Sequence, residues 1–562
     1  MAWLKILNKQ SKNITSAAII IGGTSLASRV LGMFRDRILA GEFGTSNILD
    51  AYYAAFRIPD LVYNLLVLGA LSAGLIPVFS AYLAMNKTAE GYRVINILLN
   101  LISVFLIIVC ALLAIFAGQL VPLITPGFSG DKLALTIQFS RIMFLSPIFL
   151  GLSGIFGSIT QSLKRFFIYS LAPIMYNFGI IIGALFFVKW WGPIGLAWGV
   201  VVGAALHFFI QLVGLHGSGY RYQWLWQWRH PGVKQISWLM IPRVLALSIS
   251  QISLTVETII CSTLAAGSLV VFSFANNLQS FPLGVFAISF AVAALPTLSE
   301  FAAQAKISDF INSLSSTLRQ IIFWLAPISV LLFVLRAQIV RVLLGTGQFD
   351  WEATRLTAAL LAVFAVSLLA QGLVPLLTRA FYAWQDTKTP FYLGLIHAAI
   401  NVSLALVLVK VLSQFNLFTF FIKSTLKLSD LADIRVLALP LAYGLAHLFY
   451  ILALLYFLRK KIGRLDGRKI FDSTWRILFS SLGSGLVAFY TLRLVNQFVS
   501  LNSFSGVLTQ GLTAGVLGVL TYIILGILLN SEEIKLFLAA WQKKLFRQVV
   551  VDKTGVGEGT TL

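Results

Sequence analysis

The sequence predicts an all-α polytopic membrane protein with about fourteen transmembrane helices. Hydrophobic residues make up 58% of the 562-residue chain, charged residues only 11%, and the mean hydropathy is +0.89. A soluble domain carries roughly 25% charged residues, and a helix that crosses a bilayer needs about 20 mainly apolar residues. Apolar runs of that length recur along the chain, so a bundle of spanning helices is the fold class that the composition favours.

The apolar runs give the helices in chain order. Several exceed the length that a bilayer requires, so we expect them to tilt or to extend beyond the lipid. Polar or Gly- and Pro-containing loops separate the runs, which lie near 14–40, 49–82, 94–121, 134–160, 168–188, 193–215, 236–264, 268–302, 311–335, 353–381, 389–412, 434–458, 474–497 and 505–530.

The basic residues predict the orientation of these helices. The chain has 42 Lys and Arg residues, and most of them fall in the loops on the side of the N-terminus if the helices alternate in direction. The densest cluster lies in 459–476. Since Lys and Arg concentrate in cytoplasmic loops, both termini and this loop are predicted to be cytoplasmic. Attraction of these loops to an anionic leaflet accounts for the net charge of +22 without a nucleic-acid partner.

A faint internal repeat divides the first twelve helices into two six-helix lobes. In each lobe a Gly followed by a hydroxyl residue stands fifteen residues before a Pro, at Gly44-Thr45 and Pro59 and at Gly267-Ser268 and Pro282. Transporters built from such repeats bind their substrate between the repeats near the midplane. The alternative is chance similarity between helices that contain Gly and Pro.

The repeat sets the predicted domain organisation. The last two helices follow the second lobe and carry small residues, which permit either a groove for a lipid tail or a plain packing face. The predicted divisions are an N-terminal lobe (1–233), a C-terminal lobe (234–472), the two extra helices (473–530) and a cytoplasmic tail (531–562).

Charged residues interrupt the first two apolar segments. A charge at the bilayer centre costs from about 3 to more than 10 kcal/mol, so such residues persist where they face a protein interior or a water-filled cavity. Three arginines here predict a cationic cavity for an anionic ligand, although Arg35 and its neighbour Arg37 could instead reach the outer interface. The residues concerned are Arg29, Arg35, Asp36, Asp50 and Arg57.

Glu257 is the only acid well inside an apolar segment of the predicted C-terminal lobe. It is either a carboxylate linked to H⁺ or Na⁺, or a neutral Glu that is hydrogen-bonded to a neighbouring helix, and the sequence leaves both interpretations open. No Walker loop, zinc-type HExxH motif, nucleophile elbow or dinucleotide-binding fingerprint is present. The chain is therefore not expected to be an enzyme, and transport energy would come from ion gradients or the membrane potential.

Six motifs resemble those of one family. They occur in family order from Ser28 to Pro390, and the chain resembles the MurJ (MviN) lipid II flippases of the multidrug/oligosaccharidyl-lipid/polysaccharide (MOP) exporter superfamily. The motifs are SRVLGMFRD (28–36), DAYYAAFRIPD (50–60), PGF (126–128), SQISLTVETI (250–259), FANNLQSFPLGVF (274–286) and AFYAWQDTKTP (380–390).

The resemblance implies a function and a location. Such proteins flip lipid II, the undecaprenyl-diphosphate-linked peptidoglycan precursor, from the inner to the outer leaflet of the bacterial cytoplasmic membrane by alternating access, with a cationic cavity between two lobes. It implies lipid II and membrane lipids as partners, possible contacts with other cell-wall synthesis proteins, and no cofactor beyond Na⁺ or H⁺ as a coupling ion. A flippase for another polyprenyl-diphosphate glycan and a non-transporting scaffold are the alternatives.

Site residues carry over by motif. Arg29 and Arg35 match cavity arginines of the family, and Asp36 and Asp50 match acids in the same motifs. Asn277 stands where many relatives carry an arginine, and is included among the substrate-binding candidates. Some relatives bind Na⁺ through acids and an Asn at positions that correspond to Glu257 and Asn401, although a second helix-eleven acid is not evident here.

The chain also departs from the family pattern on its second and eighth helices. Many relatives place an arginine where this sequence has Tyr63 and Asn64, and an acid where it has Ser280. We therefore predict that Arg57 helps to hold the diphosphate, because Asp50, Arg57 and Asn64 are spaced to share one helix face. The alternative is that Arg57 only anchors the helix at the outer interface.

Overall fold

The computed structural model describes residues 14–65, 69–463, 465–535 and 537. The described residues are predominantly helical, which confirms the all-α class. In chain order the helices are α1 (Ile14–Phe43), α2 (Asn47–Ala55), α3 (Arg57–Tyr63), α4 (Gly69–Ala84), α5 (Thr88–Ile115), α6 (Ala117–Ile124), α7 (Gly130–Met143), α8 (Leu145–Ser162), α9 (Phe166–Ile182), α10 (Ile194–Val213), α11 (Pro231–Ser262), α12 (Ser268–Pro282), α13 (Ser289–Ala303), α14 (Ile307–Leu343), α15 (Trp351–Ala383), α16 (Lys388–Leu412), α17 (Leu417–Leu426), α18 (Ala438–Ile462), α19 (Gly467–Val495) and α20 (Phe504–Leu528).

Short irregular turns extend three of these helices. A π-helical turn (Gly183–Phe187) and a four-residue helix (Val188–Trp191) continue α9. A second π-helical turn (Leu283–Ile288) joins α12 to α13, and a 3₁₀ turn (Arg435–Leu437) precedes α18.

Every apolar segment of the sequence contains helix, but the count of fourteen spans is not confirmed. Eleven helices within the described residues are long and apolar enough to cross a membrane. The segments outside that set are the first, which contains α1, the second, which contains α2, α3 and α4, and the seventh, which contains α11.

The chain forms two compact units. Unit 1 comprises Met1–Leu278, Leu343–Leu360 and Gly394–Ala446, and unit 2 comprises Gln279–Val342, Leu361–Leu393 and His447–Leu562. The contiguous lobes and the tail predicted from the sequence remain predictions, and the N-terminus and most of the tail lie outside the described residues.

In unit 1, α9 and α10 pack backbone against backbone. A Cβ added at Gly179 would lie 2.2 Å from the Gly203 Cα, and one added at Gly183 would lie 2.4 Å from the Gly199 Cα. Small residues at four-residue spacing let helices approach this closely in a membrane. This seam fixes α9, which carries two of the residues that line the cavity described below.

In unit 2, the last two long helices pack against α14. The Tyr522 hydroxyl on α20 donates to the Phe323 carbonyl at 2.8 Å, and the Ser484 hydroxyl on α19 donates to the Gly518 carbonyl at 2.7 Å. The small residue Ser481 is completely buried, so this stretch of α19 is a packing face. The lipid-tail groove predicted for 473–530 is not tested by these contacts and remains a prediction.

Asp386 caps α16, and its ionisation makes the stability of the protein depend on pH. Its carboxylate accepts hydrogen bonds from the Thr389 N–H at 2.9 Å and from the Lys461 ammonium at 2.8 Å. Partial burial alone raises the pKa of Asp386, but the hydrogen bonds from Lys461 and Thr389 outweigh burial and hold the pKa below its usual value. The ionised Asp386 carboxylate therefore stabilises the folded protein fully above the unfolded-state pKa. This contribution is lost as the pH falls through the lower folded-state pKa.

We expect the thermal stability of wild-type protein to fall more steeply on acidification than that of Asp386→Asn. The substitution removes the charge and keeps a side chain that can cap the helix. Melting curves in detergent between neutral pH and pH about 3 measure this difference, since the ordinary Asp pKa is about 3.9. Parallel melting curves for the two proteins would contradict a stabilising role for the ionised carboxylate.

Candidate functional site

A polar cavity of about 290 Å³ lies within unit 1. It is formed by α1, α2, α3, α9, α11 and α12, so residues far apart in sequence meet there. The lining residues are Arg35, Leu39, Tyr52, Tyr53, Phe56, Arg57, Asp60, Tyr176, Ile180, Leu254, Phe272, Ser273, Asn276 and Asn277.

One wall of the cavity is organised by Asp36. This carboxylate is 5% exposed and accepts from the Arg35 Nε and Nη2 at 3.0 and 2.7 Å. It also accepts from the Asn277 amide at 2.9 Å, while the Arg35 Nη1 donates to the Asn177 Oδ1 at 3.0 Å. Arg35, Asp36 and Asn277, which were all site candidates, therefore form one network. The charge of Arg35 is largely matched by its neighbour.

Arg57 enters the cavity at a break in the second predicted helix. Pro59 has no N–H to donate to Ala55, and the helix is interrupted at Phe56, after which α3 begins with Arg57. The Nε of Arg57 is buried and finds no hydrogen-bond partner among the residues that the structure describes. Of the three residues predicted to share a face of this helix, Arg57 lines the cavity, whereas Asp50 and Asn64 do not.

Two further polar atoms of the cavity lining are buried without a hydrogen-bond partner among the described residues. The Tyr53 hydroxyl and the Ser273 hydroxyl are buried and likewise lack a hydrogen-bond partner within the described part of the chain. A buried polar group that is left unsatisfied costs about 1–3 kcal/mol. Three such groups around one cavity, one of them on an arginine, favour a ligand that accepts hydrogen bonds and carries negative charge.

Asp50 lies outside this lining and holds two parts of unit 1 together. It is 1% exposed and accepts from the Lys132 ammonium at 2.6 Å, the Gly267 N–H at 2.7 Å and the Val270 N–H at 3.2 Å. The two backbone contacts place a carboxylate at the N-terminus of α12, where helix N–H groups lack partners. Asp50 pairs with Lys132 rather than with Arg57.

Glu257 and Asn401, the two ion-coupling candidates that the family resemblance implies, lie close together. Glu257 is 6% exposed and Asn401 is 3% exposed, and the Asn401 amide donates to the Glu257 Oε1 at a long 3.4 Å. Arg57 is close enough to interact electrostatically with Glu257 and with Asp60. The candidate ion-coupling pair is thus linked through Arg57 to the cavity.

Arg29, like Asp50, is a predicted site residue outside the cavity lining, and the structure adds residues that were not predicted. Arg29 is half-buried on α1 and is not part of the lining. Sequence reasoning missed Lys132, Tyr53, Asp60 and Ser273 as members of these networks. Tyr53 and Asp60 lie within the DAYYAAFRIPD motif. Lys132 closely follows PGF, and Ser273 directly precedes FANNLQSFPLGVF, so each of the four had a signal nearby.

Comparison with known proteins shows the family. The sequence model described as lipid II flippase MurJ matches residues 39–418. The lipid II flippase MurJ of Burkholderia cenocepacia is 31% identical over 390 residues, which cover 67% of this chain and 75% of that protein. The probable lipid II flippase MurJ of Rhizobium tropici is 29% identical over 405 residues, which cover 70% of this chain and 76% of that protein.

Solved structures show the same fold. A lipid II flippase MurJ in an inward closed conformation matches 91% of this chain and 98% of its own chain, with a TM-score of 0.71 and 23% identity. An inward-facing multidrug resistance MATE family transporter of the MOP superfamily matches 78% of this chain and 96% of its own, with a TM-score of 0.63 and 12% identity.

Proposed function

This chain belongs to the lipid II flippase MurJ family of the MOP superfamily, and from that premise we propose how its cavity handles the substrate. The protein is a multi-pass membrane protein that flips lipid II. In our proposal it carries lipid II from the inner to the outer leaflet of the bacterial cytoplasmic membrane by alternating access, with both termini cytoplasmic. The cavity of unit 1 holds the diphosphate during this movement.

The observation that carries the proposal is the set of unpartnered donors around Arg57. A guanidinium keeps its charge and binds phosphate oxygens in a bidentate manner. The Tyr53 and Ser273 hydroxyls lie on the same lining and can each donate to a phosphate oxygen. Arg35 is already bound to Asp36, so its role is to hold the wall of the cavity rather than to supply the main phosphate contact.

Transport itself is tested by rescue and by reconstitution. We expect this chain to restore growth of a bacterium depleted of its own flippase, because rescue requires lipid II to reach the outer leaflet. In liposomes, the purified protein should make lipid II accessible on the opposite leaflet. An undecaprenyl-diphosphate lipid with a different glycan serves as the substrate control. Failure to move lipid II by a folded, correctly inserted protein would overturn the proposed function.

The coupling of transport to an ion is a second part of the proposal. Glu257 and Asn401 form a buried oxygen-rich pair, and Arg57 interacts with Glu257. Binding of H⁺ or Na⁺ at Glu257 would weaken its attraction for Arg57, and would leave the guanidinium available for the diphosphate. The ion would then favour substrate binding through this arginine.

Glu257→Gln is the variant that tests this coupling. Since Gln cannot bind a proton or carry the charge, we expect reduced transport that no longer depends on pH or Na⁺. Initial flipping rates in liposomes with imposed gradients measure both effects, and Glu300→Gln, at an exposed position, is the matched control. Unchanged activity with unchanged ion dependence would leave Glu257 with a structural role only.

A further inference from the structure

The segment between α10 and α11 folds back along α5. On its outward path the Tyr92 hydroxyl donates to the Ser218 carbonyl at 2.7 Å. On its return path the His230 Nε2 lies 2.8 Å from the Glu90 Oε1, and the His230 Nδ1 accepts from the Gly232 N–H at 3.2 Å. Residues 218–230 therefore form a hairpin, named here the Trp hairpin, that lies against α5.

Two asparagines of α5 hold the outward path. The Asn96 Oδ1 accepts from the Tyr220 hydroxyl at 2.6 Å, and its Nδ2 donates to the Arg221 carbonyl at 3.0 Å. One helical turn further, the Asn100 Oδ1 accepts from the Tyr222 hydroxyl at 2.9 Å. Four helical residues rise about 6 Å and two extended residues about 6.6 Å, so the two repeats match and fix the register.

Asn100 also satisfies the tip of the hairpin. Its Nδ2 donates to the Gln223 and Leu225 carbonyls, both at 3.1 Å, and the chain then returns to Arg93, whose Nη2 donates to the Gln227 Oε1 at 3.1 Å. Asn96 and Asn100 are only 1% and 2% exposed. The side-chain amides of both residues therefore hydrogen-bond to the hairpin.

The depth of the tip follows from α5. After Arg93 this helix carries no charged residue to its end at Ile115. Asn100 lies about 10 Å further along the axis than Arg93, so the tip lies beside the first two apolar turns of this span. Non-helical backbone is tolerated at such a depth only where protein groups satisfy it, and Asn96 and Asn100 do so.

The outer face of the hairpin is aromatic and basic. Trp224, Trp226 and Trp228 are 66%, 52% and 60% exposed, and the Trp224 and Trp226 rings stack with centroids 6.4 Å apart. The Arg229 guanidinium lies 4.7 Å from the centre of the Trp228 ring, and Arg221 is exposed. Trp concentrates at the membrane interface, and basic residues there attract anionic lipids.

We propose that the Trp hairpin is inserted into the interfacial layer of the phospholipid leaflet at this end of α5. The three tryptophans lie at the boundary between headgroups and acyl chains, and Arg221 and Arg229 bind anionic phospholipid headgroups. The orientation predicted from the basic loops makes this the inner leaflet. The site differs from the lipid II cavity and acts on bulk lipid.

Fluorescent labels at two positions test the insertion. The full chain carries either Trp226→Cys at the tip or Lys234→Cys, an exposed position in the first turn of α11, in liposomes of phosphatidylethanolamine and phosphatidylglycerol. The native Cys110 and Cys261 are buried, and labelled wild-type protein gives the background. We expect spin-labelled lipid to quench position 226 and aqueous iodide to quench position 234. Equal iodide quenching at both positions would overturn the proposal. The same result is expected if this face binds a protein partner instead of lipid.

Two further variants test the cause of the insertion. Asn100→Leu keeps the helix apolar and removes the amide that satisfies the tip, so the label at 226 should lose lipid quenching and gain iodide quenching. Arg221→Gln with Arg229→Gln should lower quenching by spin-labelled phosphatidylglycerol and leave quenching by spin-labelled phosphatidylethanolamine unchanged. Unchanged quenching of the label at 226 in Asn100→Leu would contradict the role of the asparagines. An equal loss of quenching by both spin-labelled lipids in the arginine variant would contradict headgroup selection.

Discussion

Arg57→Ala is expected to abolish or nearly abolish lipid II transport while the protein level stays normal. The Nε of Arg57 has no hydrogen-bond partner in the described part of the chain, so the variant loses no hydrogen bond of that atom. Loss of hydrogen bonds from a charged group costs about 1.5–3 kcal/mol, which corresponds to roughly a ten- to hundredfold loss of substrate affinity. Binding of lipid II to purified protein and flipping in liposomes measure the effect.

The conservative variant separates phosphate binding from anchoring. Arg57→Lys keeps the charge but loses the bidentate geometry, so transport should fall to a level between wild type and Arg57→Ala. A lysine anchors a helix at an interface as well as an arginine does. Arg355→Ala, which removes an ion pair with Asp430 outside the cavity lining, is the control. Full activity in a well-expressed Arg57→Ala variant would exclude Arg57 as a diphosphate ligand.

Asp50→Ala is expected to lower the free energy of unfolding by about 3–5 kcal/mol, since it leaves a largely buried ammonium unpaired. The Lys132 side chain is 14% exposed and would lose its carboxylate, and the Gly267 and Val270 N–H groups would lose their acceptor. Urea or thermal unfolding in detergent, together with the yield of folded protein, measures the loss.

A double variant distinguishes a structural role of Asp50 from a substrate contact. In Asp50→Asn with Lys132→Met, the amide oxygen still accepts from the Gly267 N–H and no unpaired charge remains. We expect this protein to recover most of the lost stability and to flip lipid II. If Asp50→Ala were as stable as wild type but inactive, Asp50 would be a substrate ligand, as the family resemblance implies.

The helices were predictable because the bilayer imposes a length and a polarity on each of them. Each apolar segment contains helix, and the interruption at Phe56 follows from Pro59. The fold of 218–230 was not predictable, because charge counting identified Arg221 and Arg229 only as residues of a basic loop. The register between this loop and Asn96 depends on hydrogen bonds over long sequence separation, which leave no periodic signal.

The candidate site was predictable where charge in an apolar segment marked it. Arg35, Asp36 and Arg57 stand out for this reason, and Glu257 and Asn401 meet as expected. Tyr53 lies within the DAYYAAFRIPD motif and Ser273 directly precedes FANNLQSFPLGVF, but neither residue is charged. Only the folded chain shows that their hydroxyls lack a hydrogen-bond partner among the described residues. Arg29 and Asp50 show the converse, since a costly charge in a span also arises where it fixes the structure or lies away from the cavity.

The glycine seam between α9 and α10 has a mechanical consequence. A Cβ added at Gly203 would lie 2.5 Å from the Tyr176 carbonyl oxygen, and Tyr176 lines the cavity. Side chains between two helices can absorb small helix movements by changing rotamer, but a direct contact between backbones cannot. A displacement of Tyr176 is therefore passed directly to α10, and any widening of the cavity on this side must move both helices together as one rigid unit.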